Sequence, residues 1–446
     1  MAARDGGDFQ LASYKVDEIR FGNRTAFADG VLTIDKEELR AFVLESPLFE
    51  DVEIELASPG DDVRIVHVLD VVEPRVRVSD PGSDFPGVIG PLHPVGVGTT
   101  NRLDGVGVIE TSHPLPGEPI YWREAILDMS GPGAPYSPFS RLHNVVLSFT
   151  PSKALSSGED DDKSLHNVFE GSPDVMRFKN EVREAGFKTA VYLAQTTKDV
   201  APDWVDTYEP PGGKAEGLPR MIYLYQLQGP RLYGEVLPRA GAMTAAAHLP
   251  LFVNPAEILD GALVSMSSLG GCKRELTYLM QNHAVVKEMY RRHGEDIDFR
   301  GMLLCSNGDN VRSKQTIATS AAGVAKYLGA EGAVMNYLGG GHAAVDVMVT
   351  CKELERQGIR TVLVLMEMSP EPGESGFVDF VPEADAIVST GNYELKIDLP
   401  PVAKVIGGDS ILVLGDDAAG ALNVTLRHIL SSTSTFGMGM LRGAEV

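Results

Sequence analysis

The first 150 residues carry a hydrophobic pattern that predicts mainly β-strands. "TAFADGVLTI" alternates apolar and polar residues around a turn, and "DVRIVHVLDVVEPRVRV" is rich in β-branched residues. Between them, "KEELRAFVLES" has the spacing of a short amphipathic helix. "DMSGPGAPYSPFS", from Asp128 to Ser140, holds too much glycine and proline for a helix and predicts a shaped loop.

From Leu276 onward the pattern changes to alternating helices and buried strands. "LTYLMQNHAVVKEMYRRHG" has helical spacing and ends at Gly294. The apolar runs "GMLLCSN", "GAVMNYL", "RTVLVLM" and "DAIVST" then alternate with the helical patterns "QTIATSAAGVAKYLG" and "AVDVMVTCKELERQG". We therefore predict an α/β protein with a β-rich N-terminal domain (1–150), a mixed α/β segment (151–294) and a doubly wound, parallel-sheet, Rossmann- or flavodoxin-like C-terminal domain (295–446).

Two loops follow the carboxyl ends of predicted parallel strands, where ligands gather in such sheets. They are "SNGDN", from Ser306 to Asn310, and "LGGGH", from Leu338 to His342. The second lacks both GxGxxG spacing and a GK[ST] ending, so a plain strand-to-helix turn is favoured over a nucleotide site. The ten histidines form no HExxH motif. We expect neither a metal nor a nucleotide cofactor.

Charge and composition narrow the class of partner. The formal net charge of −23 argues against nucleic-acid and anionic-membrane partners, because both need clusters of Lys and Arg. No apolar run reaches the roughly 20 residues of a membrane span, and the first residues, "MAARDGGDFQ", are too polar for a signal peptide. Three scattered cysteines, Cys272, Cys305 and Cys351, fit neither a disulfide framework nor a CxxC site. We expect a cytoplasmic protein.

Cys272 stands in a setting that favours reactivity. It follows Gly271, precedes Lys273 and Arg274, and lies just before a helix predicted to start near Glu275. The basic residues and the helix N-terminus favour a thiolate, and glycine leaves the preceding peptide carbonyl open to attack. Such an attack moves the acyl group to sulfur, and elimination and hydrolysis then leave a pyruvoyl group. Taken alone, a cysteine in a glycine turn is more often structural.

Twelve phrases occur in the same order as in one family, and together they resemble the proprotein subunit of component B of the glycine/sarcosine/betaine reductases. They are "YKVDEIRFGNRTAFADGVLTIDKEEL", "DVVEPRVRV", "FPGVIG", "VGVGTTNRLDG", "DMSGPGAPYSPFS", "VREAGFKTAVYLAQ", "NPAEILDGALVS", "CKRELTYLMQNHAVVKEMYRRHG", "SNGDNVRSK", "DVMVTCKELERQGIRTVLV", "ADAIVSTGN" and "LPPVAKVIGG". This resemblance covers nearly the whole chain.

The resemblance implies cleavage between Gly271 and Cys272, giving products of 271 and 175 residues (446 − 271 = 175) and a pyruvoyl group derived from Cys272. This cofactor would condense with a small amine substrate. The resemblance also implies a selenocysteine- or cysteine-containing component B partner subunit, an acyl-phosphate-forming component and a thioredoxin-like reductant. His283 is the candidate proton shuttle, with helix packing as its equal alternative. Candidate substrate-binding residues are Lys273, Arg274, Gln281, Asn282, Asp128 and Ser130.

Two departures from the family pattern leave the substrate open. Lys273 is basic where the family usually has an acidic residue, and "NYLGGGHAAVD" replaces a more polar segment. Glycine, sarcosine, betaine and a cyclic amino acid, as in D-proline reductase, remain candidates. One alternative is an unprocessed paralogue that serves as a structural or substrate-binding subunit in another amine-cleaving or biosynthetic pathway. A third hypothesis is an amine-binding sensor built on the α/β domain.

Overall fold

The structure is a computed structural model of the 446-residue chain. It describes residues 7–79, 84–115, 118, 125–156, 173–211, 215, 217–227, 231–236, 249–265, 275–337, 341–369, 380–412, 414–439 and 442–443.

Two four-stranded sheets are formed by the described residues of the N-terminal half. The first has the spatial order Trp204–Tyr208, Phe9–Lys15, Gly98–Asp104 and Arg75–Arg77. The second has the order Phe49–Ala57, His143–Pro151, Val106–Ser112 and Val68–Val72. Val106–Ser112 is buried along its whole length, because the long helix Pro173–Ala194 covers part of this sheet and a hydrophobic core lies on the other side.

Shorter strands join the sheets and connect distant parts of the chain. Among the described residues they form five small sheets, each given in spatial order: Glu18–Gly22, Val31–Asp35 and Ala26–Ala28; Leu127–Asp128, Val63–Ile65 and Lys404–Ile406; Glu235–Val236, Arg231–Leu232 and Leu263–Val264; Lys396–Leu399 and Leu422–Thr425; and Ser410–Ile411 and Asp416–Asp417. The helix Lys36–Val43 begins where the side chain of Asp35 accepts hydrogen bonds from the backbone of Glu37 and Glu38. One of these pairings joins Val63–Ile65 to Lys404–Ile406 in parallel, so residues far apart in sequence share one sheet.

A seven-stranded sheet forms the centre of the C-terminal half. Its spatial order is Leu251–Val253, Asp298–Cys305, Arg220–Gln226, Gly332–Tyr337, Arg360–Glu367, Ile387–Asn392 and Arg442–Gly443. The five inner strands are parallel, and the two outer strands are antiparallel. Numbered along the chain, the parallel strands lie in the order second, first, third, fourth, fifth. The second parallel strand lies on one side of the first, Arg220–Gln226, and the third lies on its other side. The connections therefore diverge at the first strand, which opens a crevice at the carboxyl end of that strand.

Helices pack on both faces of this central sheet. Val311–Tyr327 and His342–Arg356 cover one face, where Ile222, Leu303 and Cys305 are buried. The opposite face meets the short helices Thr277–Gln281 and Ala284–Arg292 through a second core. The other helices of the described residues are Pro255–Leu259 and Lys153–Ser156, with 3₁₀ turns at Ala134–Tyr136, Pro138–Arg141, Gln195–Thr197 and Leu426–His428.

The structure confirms a mixed α/β chain, and the strands predicted from the four apolar runs after Gly294 are present. The finer division into a β-rich domain and a doubly wound domain stays a prediction. The central sheet includes Arg220–Gln226 and Leu251–Val253, which precede the predicted boundary at 295. In the part of the chain that the structure describes, no helix has the length and apolar character needed to cross a membrane.

Candidate functional site

The residues at the centre of the prediction, Gly271, Cys272, Lys273 and Arg274, lie outside the described residues. The described chain stops at Ser265 and resumes at Glu275. The helix expected to begin near Glu275 begins at Thr277 and has only five residues.

Thr277 holds the two described ends of this segment together. Its Oγ1 accepts a hydrogen bond from the backbone N–H of Ser265 at 2.9 Å and donates to Oδ2 of Asp70 at 2.6 Å. The backbone N–H of Thr277 donates to Oδ1 of the same aspartate at 2.9 Å. All three residues are buried. Ser265 and Thr277 are therefore held together in the protein interior.

Glu275, where the described chain resumes, lies at the carboxyl end of the central sheet. Its Oε1 accepts a hydrogen bond from the hydroxyl of Tyr225, the penultimate residue of the first parallel strand. Tyr225 is fully buried, and burial together with the nearby Glu275 carboxylate raises the pKa of its phenol well above the usual range. The phenol therefore stays protonated and acts as a hydrogen-bond donor.

Three buried amides at the same end of the sheet have unused hydrogen-bonding capacity among the residues that the structure describes. Neither amide atom of Gln226 has a partner, and the Oδ1 atoms of Asn336 and Asn307 have none either. Asn336 lies directly opposite Tyr225 in the strand register, and its Nδ2 donates to Oγ1 of Thr435 at 3.2 Å. Burying an amide without a partner is costly, so such groups are candidates for binding a polar ligand.

Gln281 and His283 are in the interior. Gln281 bonds to the backbone of Glu73, accepting from its N–H at 3.0 Å. His283 caps the helix Ala284–Arg292, with Nδ1 accepting from the N–H of Val286, and its Nε2 lies 2.8 Å from the hydroxyl of Tyr223. Burial lowers the pKa of His283 to about 3. The ring is thus neutral at pH 7, which favours the packing role over the proton shuttle, although its assignment to catalysis stays a prediction.

Nearly the whole chain matches one family. The family model described as "Glycine/sarcosine/betaine reductase component B subunits" matches residues 8–438. The chain belongs to this family. It is thus a component B subunit of this class of reductase complex, as the sequence resemblance implied.

Several relatives align with most of the length of this component B chain. "Glycine reductase complex component B subunits alpha and beta" of Peptoclostridium acidaminophilum is 31% identical over 445 residues, covering 97% of this chain and 98% of the relative. "Sarcosine reductase complex component B subunit alpha" of the same organism is 31% identical over 447 residues, with the same coverage. Its "Betaine reductase complex component B subunit alpha" is 32% identical over 413 residues, covering 89% of this chain and 87% of the relative. No solved structure matches the chain.

Asn282 of this component B chain lines an open cleft of about 670 Å³ between the first N-terminal sheet and the helix Ala284–Arg292. Its Oδ1 accepts from Lys287 Nζ at 2.6 Å and from Arg102 Nη1 at 3.1 Å. Its Nδ2 has no partner among the described residues. Burial and the nearby Arg102 lower the pKa of Lys287 to about 7. Asn282 thus lies at the edge of this cleft with one amide nitrogen that has no partner among the described residues, while its role in substrate binding stays a prediction.

Asp128 and Ser130 lie in a different part of the component B chain. Both carboxylate oxygens of Asp128 accept from Arg64, at 2.7 and 3.0 Å, and the pair is buried. Arg64 also donates to backbone carbonyls of residues 400–420. Ser130 is half-buried. The ion pair joins distant parts of the chain, while the proposed substrate contacts of Asp128 and Ser130 stay predictions.

The other cysteines of this component B chain are core residues, as the sequence predicted. Cys305 and Cys351 are buried, and burial raises the pKa of their thiols to about 12 and about 11. In the described part of the chain, no group of three or more His, Cys, Asp or Glu side chains is placed to hold a metal ion.

Sequence reasoning missed Asp70, Tyr225, Gln226 and Asn336. Asp70 and Gln226 are polar residues inside predominantly apolar runs, "HVLDVV" and "MIYLYQL". A polar residue within such a run is the signal that could have found them, because buried polar groups need a structural or functional partner.

Proposed function

We propose that this chain is a component B subunit in which the Gly271–Cys272 bond is cleaved to give a pyruvoyl group. The main support is the match of 97% of this chain to a single relative named for two subunits, alpha and beta. One polypeptide that yields two subunits is what cleavage within the chain would produce. The described residues on either side of segment 266–274 are held together, because the backbone N–H of Ser265 donates to the hydroxyl of Thr277.

The proposed cleavage balances without an external redox agent. The sulfur of Cys272 attacks the carbonyl carbon of Gly271, so the C–N bond breaks and a thioester forms. Elimination then breaks the Cβ–S bond, leaving a thiocarboxylate on Gly271 and dehydroalanine at position 272. Water replaces the dehydroalanine nitrogen, which leaves as ammonia, and the new N-terminus is a pyruvoyl group.

The pyruvoyl group supplies an electrophilic carbonyl that withdraws electrons from the carbon–nitrogen bond of an amine substrate. The residues present fit such a group, because Gln226 and Asn336 offer buried amide atoms without partners among the described residues at the sheet end reached by Glu275. We propose that these amides bind and orient the polar groups of a small amine such as glycine, sarcosine or a cyclic amino acid, each of which carries the N–H that condensation with a carbonyl requires. In this proposal, the five parallel strands form a doubly wound sheet, and this sheet positions the two amides.

The reducing thiol or selenol belongs to a partner in this proposal. Cys305 and Cys351 are buried with raised thiol pKa values, so neither presents a thiolate to solvent. A selenocysteine- or cysteine-containing subunit would displace the amine. A thioredoxin-like reductant and an acyl-phosphate-forming component would then complete the turnover.

Intact-mass analysis of the purified chain, expressed with its partners, tests the cleavage. We expect fragments of 271 and 175 residues, with the smaller fragment reacting with hydrazine and with borohydride. The Cys272→Ala variant is the matched control and should remain a single chain that does not react. A folded wild-type chain that stays intact, with a free thiol at Cys272, would refute the proposal and favour an uncleaved substrate-binding subunit.

A further inference from the structure

We propose that the cleft between the first N-terminal sheet and the helix Ala284–Arg292 is a binding site for a small monocarboxylate, with Lys287 as its cationic contact. The proposed function uses other residues, Gln226 and Asn336, at the carboxyl end of the central sheet. Binding in the cleft therefore does not depend on cleavage of the Gly271–Cys272 bond.

Lys287 lies in the wall of the cleft without a carboxylate partner. Its Nζ donates to Oδ1 of Asn282 at 2.6 Å. In the part of the chain that the structure describes, no carboxylate oxygen lies within ion-pairing distance of this Nζ. The two neighbouring arginines do have one, since Arg75 and Arg102 both pair with Glu73, at 2.5 and 3.6 Å. When it is protonated, Lys287 is thus the cation of this cluster that has no anion beside it.

The amide of Asn282 cannot supply the missing negative charge. Its Oδ1 is uncharged and already accepts from Lys287 at 2.6 Å, from Arg102 at 3.1 Å and from Arg75 at 3.4 Å. Burial, together with the charges of Arg102 and Arg75, lowers the pKa of Lys287 to about 7. A carboxylate beside the ammonium group would favour its charged form and form a charge-assisted hydrogen bond with it. The cluster therefore favours binding of an anion.

The size and walls of the cleft suit a small organic molecule. Its volume of about 670 Å³ is in the range of roughly 300–1,000 Å³ that is usual for small-molecule sites. Tyr208, Tyr278 and Tyr290 line it together with Lys287. Burial raises the pKa of all three phenols, so the rings are uncharged at neutral pH. They offer aromatic surface to the carbon atoms of a ligand and add no negative charge that would compete for Lys287.

Two aspartates limit the charge of the ligand. Asp104 and Asp206 also line the cleft, with carboxylate oxygens 3.4 and 3.7 Å from the guanidinium group of Arg102. Like charges repel, so these carboxylates disfavour a ligand with several negative charges. A single carboxylate placed at Lys287 avoids most of this repulsion. The cleft should therefore prefer a monocarboxylate to inorganic phosphate, which carries more negative charge.

Binding of a carboxylate should depend on pH through Lys287. The charged groups around this residue are Glu73, Arg75, Arg102, Asp104 and Asp206 from the N-terminal half and Glu288 and Arg291 from its own helix. Because its pKa is about 7, Lys287 is mostly protonated at pH 6.5 and mostly neutral at pH 8.5. The carboxylate binds the protonated amine, so its affinity should fall roughly twentyfold between these pH values. At pH 8.5, binding should take up a proton.

Calorimetric titration of the purified full-length chain with acetate tests the site. Acetate has no amine and so cannot condense with a pyruvoyl group. We expect Lys287→Met, which keeps the apolar stem and removes the amine, to lower the affinity for acetate at least about tenfold at pH 6.5 and to abolish its pH dependence. Lys326→Met makes the same substitution at an exposed lysine of the helix Val311–Tyr327 and should bind acetate as the wild type does. Unfolding curves establish that each variant is folded.

Several results would overturn the proposed site. One is the absence of acetate binding to the folded wild-type chain at pH 6.5, and another is equal affinity in wild type and folded Lys287→Met. Tighter binding of inorganic phosphate or methylammonium than of acetate would contradict the monocarboxylate class. If Lys287→Met does not fold, titrations of the wild type in two buffers of different ionisation enthalpy decide, because binding at pH 8.5 without proton uptake would exclude Lys287. The masses of the cleavage fragments test the proposed function separately.

Discussion

His283 and Lys287 are one helical turn apart, and burial lowers the pKa of both, to about 3 and about 7. Neither side chain is surrounded only by apolar groups. His283 bonds to Tyr223, and Lys287 bonds to Asn282 beside an open cleft. Their basicity is therefore suppressed by a desolvated environment in which the neutral forms are favoured. At neutral pH the imidazole of His283 is therefore uncharged, and Lys287 is protonated in only part of the molecules.

Protonation of His283 should destabilise the fold in mild acid. The pKa of His283 is about 3 in the folded chain and about 6.5 when unfolded, so only the unfolded chain gains this proton between these pH values. Its contribution to the free energy of unfolding falls by about 1.4 kcal/mol per pH unit below pH 6.5. Urea denaturation at pH 7 and pH 5.5 should show a smaller loss in His283→Asn than in wild type.

The control is His113→Asn, which makes the same substitution at an exposed histidine. Its pH dependence is the baseline with which that of His283→Asn is compared. An identical pH dependence in His283→Asn and wild type would show that His283 is not the titrating group.

At the scale of elements, the strand Arg220–Gln226 shows which strands could be predicted from the sequence and which could not. The apolar runs after Gly294 were predicted correctly because they are long and separated by helices. "MIYLYQL" follows "PPGGKAEGLP" and was hidden by this loop-like context, although it forms the first parallel strand. The predicted helix after Leu276 is broken at Asn282, because the buried His283 caps a new helix. The strand register determines which buried polar groups remain unpaired. The spacing of apolar and polar residues in the sequence does not reveal that register.

Replacing Gln226 should separate binding from stability. Gln226→Leu removes two buried amide atoms that have no partner among the described residues, so the unfolding temperature should stay equal or rise. If the amide binds substrate, kcat/KM of the reconstituted complex should fall about tenfold or more. Thermal unfolding and steady-state kinetics measure the two effects. A lower unfolding temperature with unchanged kcat/KM would assign Gln226 a structural role.

At the scale of the whole molecule, the proposed cleavage point divides a continuous hydrogen-bonded structure. Arg220–Gln226 precedes residue 271, yet it lies between Asp298–Cys305 and Gly332–Tyr337, which follow it. Leu251–Val253 likewise pairs with Asp298–Cys305. The ion pair of Arg64 with Asp128 also bonds to carbonyls of residues 400–420. Neither product would contain a complete central sheet.

The two fragments should therefore remain one folded unit after cleavage. Separating them would expose the edges of the first parallel strand and unpair a buried sheet, at a cost comparable to unfolding. Chains 1–271 and 272–446, expressed together as separate polypeptides, should co-elute at the size of the intact protein and separate only in denaturant. Expressed alone, each fragment should be aggregated or unfolded, because its half of the sheet would have an unpaired, apolar edge. Elution of a folded, monomeric 1–271 fragment in the absence of 272–446 would contradict the shared sheet.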